Sequence, residues 1–338
     1  MKKLKILIVV LILLSWISGC NSKADFEKDE QDLKLEEYAT DKYISVNEVD
    51  NMIKSEDDLI IFGVIDKTNI TVKNIEGAYL VWRNDYSGSG SSELVSDTLT
   101  GARFDKEVIE NILSKAGATK NSKIVIYSAN AHVDAGRFAW QIESLNHKNV
   151  RILDGGINAW TGADMETGDA TRISDIKAKK SDYRASDYDA NLGYADIEMV
   201  LEAVKNPNDW IIIDARSDQE FNQYEIKKGG YGGGTIKGSH WIEWTNAVDD
   251  ETMLKKLEEL KSIYGEFEGK KIITLCHSGV KSAFTYELLK NALGYENVYN
   301  YDGSWTEWSY VASKASTGVV DDKLREDVIA STSNWVEK

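Results

Sequence analysis

The chain repeats itself, and the repeat limits what it can fold into. Moving the second half back by 148 residues puts Lys271-Ile272 on Lys123-Ile124 and Ala283 on Ala135. The same shift puts Asn297-Val298 on Asn149-Val150, Asp302-Gly303 on Asp154-Gly155, and Trp308 on Trp160. Ile213-Asp214 falls on Ile65-Asp66, while Gly238 needs a shift of 161 to reach Gly77. The slip follows from insertions, Ser/Gly-rich Tyr86 to Ser92 in the first half and Gly-rich Gly229 to Gly234 in the second. A register kept over so long a stretch argues for two related domains, about 43–170 and 193–315. Charged residues 171–192 read as the linker, and 316–338 as a charged helix and tail with no visible role.

Each half alternates short apolar runs with amphipathic stretches. Leu59 to Ile65, Lys123 to Tyr127 and Val150 to Leu153 read as strands, with helices after Ser45, from Asp105 to Leu113, and from Ala135 to Leu145. Trp210–Ile213, Lys271–Leu275 and Asn297–Tyr301 read as strands of the second half. Ala195–Val204, Met253–Tyr264 and Ala283–Leu293 read as its helices. Strands buried on both sides and separated by helices predict an α/β fold, each domain a parallel sheet flanked by helices on both faces. Ligands of such sheets bind beyond the carboxyl ends of the strands.

Cys276 stands at one such end. The segment Cys276-His277-Ser278-Gly279-Val280-Lys281-Ser282 links the strand Lys271–Leu275 to the next helix. A thiol at a helix N-terminus meets free backbone N–H groups and the positive end of the helix dipole, which favour the thiolate. The amides from His277 to Ser282 can form a concave anion site, and Gly279 allows backbone geometry that a side chain disfavours. Lys281 and His277 would add positive charge. Arg216, just after the strand-end Asp214, is a candidate for the same anion or for a structural ion pair. The first half has Ser128 in place of Cys276 and Asp134 in place of Ser282. A serine hydroxyl with no legible His–Asp base beside it is not a nucleophile. Asp134 would cap its own helix and fill the anion position.

The beginning of the chain reads as an export signal. Lys2, Lys3 and Lys5 precede an apolar stretch from Ile6 to Trp16, and Ile17-Ser18-Gly19-Cys20 follows. Small residues before a cysteine resemble the bacterial lipobox. That resemblance implies a signal peptide at 1–19, a lipid on Cys20, and attachment to an outward-facing bacterial membrane surface. Residues 20–42 then read as lipidated N-terminus and flexible tether. With Cys20 modified, Cys276 is the one thiol left among the two cysteines, so a disulfide scaffold is excluded. The net charge is −16, or −19 without the three signal lysines. That acidity excludes nucleic acid as a partner. Four dispersed histidines give no metal cluster, and no nucleotide loop or cofactor motif is legible.

Taken in order, Asp214-Ala215-Arg216, Ile236-Lys237-Gly238-Ser239, the Cys276 segment and Tyr301-Asp302-Gly303-Ser304-Trp305-Thr306-Glu307-Trp308 resemble the motifs of the rhodanese sulfurtransferases. Ile75-Glu76-Gly77-Ala78 and Leu153-Asp154-Gly155-Gly156-Ile157-Asn158-Ala159-Trp160 resemble them again in the first half. The resemblance covers nearly all of 43–310. It implies tandem domains, an inactive first and an active second, with Cys276 as nucleophile. A sulfur atom would pass from an anionic donor through a Cys276 persulfide to cyanide or a thiol. Mercaptopyruvate-type relatives carry a small uncharged segment after the cysteine and a second arginine soon after Asp-Ala-Arg. Here His277 and Lys281 charge the segment and Glu220 stands where that arginine is expected, which favours thiosulfate over 3-mercaptopyruvate. A phosphatase-like reading would need an arginine where Ser282 stands. A membrane-tethered module that binds or carries sulfur without turnover is the third alternative.

Overall fold

The computed structural model describes residues 29–68, 73–88, 102–129, 131–250 and 252–338. The signal segment and Cys20 lie outside the described residues. Among those described, no helix is long and apolar enough to cross a membrane.

The duplication is visible in the sheets. The first holds Tyr43–Ile44, Val150–Leu153, Lys123–Ser128, Leu59–Val64, Tyr79–Val81 and Thr171–Arg172 in that spatial order, all parallel. The second repeats it with Tyr194–Ala195, Val298–Tyr301, Lys271–Leu275, Trp210–Asp214 and Ser239–Trp241, also all parallel. The central strands are buried apolar runs because helices cover both faces. Helix Val46–Ser55 begins where Ser45 accepts the Glu48 amide, as its cap motif predicts.

Two duplicated helices, Val133–Ser144 and Val280–Asn291, pack on each other and join the lobes. Gly136 makes this approach possible: a Cβ there would lie 3.0 Å from the Phe284 Cα. Phe138, Trp140 and Ile142 share one buried cluster with Phe284, Leu288 and Leu289. The interface is therefore core, which favours a fixed arrangement of the two lobes.

Three stretches depart from the sequence reading. The stretch read as tether contains helix Glu30–Glu36, capped by Asp29. It is held by Leu35 and Tyr38, both buried, and by Lys34, which bonds the Asp154 carboxylate and the Leu254 carbonyl. Its apolar signal was too short to see, and its anchors lie in both lobes. The linker begins later than residue 171, because Thr171–Arg172 extends the first sheet. Beyond it, the Lys180 and Ser181 amides are bound by Ser114, and Tyr183 is buried. At the C-terminus, helix Asp322–Ala330 leads into strand Thr332–Glu337, which pairs antiparallel with Gly232–Ile236. The tail thus gives the Gly-rich insertion a partner strand.

Candidate active site

The strand Lys271–Leu275 delivers Cys276 to the seam between the lobes, and the thiol is buried at 1 % exposure. The helix starts at Val280, earlier than the sequence pattern placed it. Val280, Lys281 and Ser282 are therefore its first turn, and their amides are among those a helix leaves without internal partners. Gly279 is the N-cap, at φ +77°. A Cβ there would fall 2.5 Å from the Asp302 carbonyl oxygen, so both backbone and space require glycine. Its counterpart Ala131 keeps the left-handed turn, at φ +55°.

The next helix, Ser304–Ala312, holds the segment from below. The Cys276 amide donates to the Ser304 hydroxyl at 3.1 Å, and Ser304 donates to the Tyr301 carbonyl. The Trp305 amide donates to the Cys276 carbonyl at 3.0 Å, and the Thr306 amide and hydroxyl donate to the His277 carbonyl. Ser304 adopts φ +50°, an uncommon state for a residue with a side chain. Its first-lobe counterpart is Gly156, where a Cβ would lie 2.2 Å from the Ser128 carbonyl oxygen.

Ser282 is the side chain facing the thiol. Its Oγ lies 3.5 Å from the Cys276 Sγ and 2.7 Å from Asn300 Oδ1. Asn300 is oriented by its Nδ2, which donates to the Gly279 carbonyl at 3.2 Å. A hydroxyl has one proton, and the shorter bond to Asn300 claims it while the sulfur is a thiol. Once the sulfur is a thiolate, the same proton can turn toward it.

The charged candidates are arranged otherwise than expected. Arg216 is buried and grips Asp214, with Nε 3.0 Å from both carboxylate oxygens and Nη2 2.7 Å from Oδ2. Nη2 also donates to the Gly234 carbonyl, and the guanidinium lies over the Trp305 ring at 4.3 Å. The structural ion pair expected as one of its two readings is formed. Arg216 still borders a small cavity with Glu220, Lys227 and His277. Glu220 is the centre of that cluster. Its carboxylate lies 2.6 Å from Lys227 Nζ, 3.8 Å from Lys281 Nζ and 3.6 Å from His277 Nδ1. Burial opposes its ionisation, but Lys227 and Lys281 hold its pKa below the ordinary carboxylate value. The positive charge of Lys281 is thus partly offset. His277 Nε2 contacts the Lys228 carbonyl at 3.0 Å, and burial pushes the imidazole pKa down. Burial thus works against the positive charge expected of His277. Ser278 remains in the turn before Gly279.

The first lobe lacks this arrangement. Ser128 donates to the Ala131 carbonyl at 2.5 Å. A buried His132–Asp154 pair, 2.9 Å apart, does lie nearby and was invisible in the sequence, but the Ser128 hydroxyl is turned to Ala131. Asp134, in the first turn of its helix, receives Arg83 at 2.6 and 3.0 Å. Burial works against the Arg83 charge, yet Asp134, and more weakly Tyr86 and Cys276, raise its pKa. Arg83 is thus a first-lobe cation within electrostatic range of the thiol.

Sequence reasoning also missed the links across the seam. Arg137 of the first lobe lies 2.5 Å from Asp302 and donates to the Gly279 carbonyl at 3.3 Å. The Arg103 amide donates to Asp302 at 3.0 Å, and the Leu254 amide returns the same bond to Asp154 at 2.9 Å. Each Asp-Gly turn thus docks a loop of the opposite lobe. The one available signal was the buried aspartate at matching positions of both halves. Among the described residues, no group of acidic, histidine and cysteine side chains could hold a metal ion.

Comparison with known proteins agrees with this geometry. The family model described as Rhodanese-like domain matches residues 45–163 and 198–310. A Haloferax volcanii protein provisionally named a thiosulfate sulfurtransferase is 31% identical over 224 residues, covering 63% of this chain and 75% of the relative. The thiosulfate sulfurtransferase of Corynebacterium glutamicum is 26% identical over 227 residues, covering 63% and 72%. Among solved structures, Tum1 of Saccharomyces cerevisiae superposes with a TM-score of 0.69 at 21% identity, over 81% of this chain and 96% of that one. The 3-mercaptopyruvate enzyme SseA of Escherichia coli superposes at 0.60 with 22% identity, over 79% and 100%.

Proposed function

The chain belongs to the rhodanese-like domain family, and on that premise we propose that it moves a sulfane sulfur from thiosulfate to a thiophilic acceptor through a persulfide on Cys276. The observation that carries this is the setting of Cys276 against the open first turn of helix Val280–Asn291, with Ser282 beside its sulfur. The thiolate attacks the outer sulfur of thiosulfate. The S–S bond of the donor breaks, and sulfite leaves with the electron pair. The persulfide's terminal sulfur is then taken by cyanide, giving thiocyanate, or by a thiol, and the Cys276 thiolate returns. Two half-reactions on one enzyme group predict ping-pong kinetics. The amides of 277–282 and the Ser282 hydroxyl receive the negative charge, with Lys281 and Arg83 as the nearby cations.

Thiosulfate is favoured over 3-mercaptopyruvate by Glu220. A buried carboxylate 3.8 Å from Lys281 weakens that side chain as a clamp for a substrate carboxylate. Relatives named thiosulfate sulfurtransferase support the same choice. Cys20 carries the lipid, by the pattern of residues around it. The stretch from Cys20 to the capping Asp29 spans at most about 30 Å when extended, which would hold the lobes close to the bilayer.

Intact mass after incubation with thiosulfate tests the chemistry. A gain of about one sulfur atom (~32 Da), removed by cyanide and absent in Cys276→Ser, is expected of a covalent sulfur intermediate. No gain with thiosulfate, 3-mercaptopyruvate or polysulfide would replace the enzyme reading with that of a sulfur-binding module. Faster turnover of 3-mercaptopyruvate than of thiosulfate would overturn the donor assignment.

A further inference from the structure

The first lobe has Ser128 where the second has its cysteine, yet one of its side chains reaches the loop that carries that cysteine. Arg137 projects from helix Val133–Ser144 across the seam and is fully buried. Its Nη2 lies 2.5 Å from Asp302 Oδ1, and its Nη1 donates to the Gly279 carbonyl at 3.3 Å. The guanidinium is planar and forked, so these two contacts fix its aim. Asn300 donates to the same carbonyl at 3.2 Å from within the second lobe.

Holding that carbonyl has a consequence for the thiol. In a planar trans peptide the C=O and the following N–H point in opposite directions. The Gly279 carbonyl accepts the first helical bond from the Ala283 amide at 3.2 Å as well as those from Asn300 and Arg137, so the Val280 N–H points the other way. That is the side of the turn from which the Ser282 hydroxyl approaches Sγ, at 3.5 Å. The residue equivalent to Arg137 in the second lobe is Thr285, too short to return the contact. Asp154 is met by His132 and Lys34 instead. The backbone bonds at the two Asp-Gly turns run both ways, but the side-chain hold on the N-cap carbonyl is not returned by Thr285.

We propose that Arg137 is a positioning residue for Cys276: together with Ala283 and Asn300 it steadies the Gly279–Val280 peptide, so the first lobe is a working part of the second lobe's site. The proposal rests on the reading of Cys276 as the nucleophile, but its test does not need sulfur transfer. In the full chain carrying Cys20→Ser, Cys276 is the sole thiol, and the thiolate ultraviolet band can be followed against pH. Arg137→Lys keeps the charge and the Asp302 pair but cannot span both partners. The expected result is a Cys276 pKa raised by about one unit, the worth of one amide hydrogen bond to an anion. Persulfide formation should slow about tenfold in kcat, with a smaller change in KM. Glu143→Gln, on the same interface helix and remote from Gly279, should leave the thiolate titration where it was.

An unmoved titration in Arg137→Lys overturns the proposal. Equal shifts in both variants overturn it too, since that would mean general loosening of the interface. Should Arg137→Lys fail to fold, Asp302→Asn carries the test, because it loosens the hold on Arg137 at nearly constant volume. A shift in the same direction is expected, and none would overturn the idea. If the titration moves while no variant or parent takes up sulfur, the positioning role stands and the persulfide reading falls.

Discussion

Glu287→Gln should make the protein more stable, and only above mildly acidic pH. Glu287 lies on helix Val280–Asn291 with no exposure, 3.7 Å from Lys42 Nζ. Lys42 is already taken by Glu143, with which it forms a short hydrogen bond. Burial first, and the Glu143 charge second, push the Glu287 pKa from its ordinary 4.5 up to about 8, with Lys42 opposing. Between these values the folded chain keeps a proton that the unfolded chain has lost. Stability therefore falls as pH rises through this window, and the full penalty stands above its upper end. The shift of 8 − 4.5 units corresponds to an upper bound of about 5 kcal/mol. Glutamine copies the protonated form and keeps an acceptor for Asn291 Nδ2, which donates to Glu287 at 2.8 Å. Urea unfolding of both proteins, at steps between about pH 4 and pH 9, reads the difference directly. The two curves should coincide at the acid end, then separate by up to about 1.4 kcal/mol per pH unit in favour of the variant. Parallel curves, or a variant less stable at the alkaline end, would refute the reasoning.

Three further outcomes follow from the same contacts. Glu220→Gln removes the carboxylate that offsets Lys281 and Lys227, so the thiosulfate KM should fall several-fold at low salt and the gain should fade as salt rises; a salt-independent change would count against an electrostatic cause. In Lys34→Met, Asp154 keeps His132, the Leu254 amide and a long Gln31 contact but loses its cation at 2.6 Å. Burial alone would raise its pKa, but His132, Lys34 and the Leu254 amide hold it at about 2. A depressed carboxylate stabilises above its ordinary 3.8 and loses that contribution as pH falls toward 2. The variant should therefore be less stable by about 1–3 kcal/mol at neutral pH and nearly equal near pH 2, checked by unfolding at both. Ser128→Cys in a Cys276→Ser background should take up no sulfur from thiosulfate by intact mass, and a persulfide there would show that the thiol alone makes the site.

The parts of the fold that were legible are those written in a local pattern. The strand Lys271–Leu275 and its counterpart Lys123–Ser128 are apolar runs bounded by charge and turn residues, and the shift of the duplication carried one assignment to the other. The position of Cys276 at a strand end followed from the same reading. What stayed hidden depends on distant partners. Helix Glu30–Glu36 buries little besides Leu35 and is fastened by bonds to Asp154 and Leu254, far along the chain. Strand Thr332–Glu337 pairs with a glycine run, which has no side-chain alternation to betray a strand. Arg216 could not be assigned between donor and ion pair until its distance to Asp214 was known. The Glu220 cluster gathers residues 220, 227, 277 and 281, which no spacing rule would group.

The divergence between the halves explains why a change of one residue would not equalise them. Where the second lobe has Cys276, Ser282, Asn300 and Ser304, the first has Ser128, Asp134, Ile152 and Gly156. In the second lobe the last three form one polar frame around the thiol, through Ser282 at Sγ, Asn300 at Ser282 and Gly279, and Ser304 at the Cys276 amide. In the first, Ile152 offers no hydrogen bond, and the Gly156 Cβ position is filled by the Ser128 carbonyl. Asp134 has been given to Arg83 instead, and that pair places a cation near the opposite lobe's cysteine. Arg137, on the same helix, holds the opposite lobe's loop. The two helices that meet at the seam are thus counterparts with different contacts: one begins beside the thiol, and the other sends Arg137 to the loop that carries it. With Ile152 and Gly156 in place of Asn300 and Ser304, a cysteine set at position 128 would stand without that polar frame.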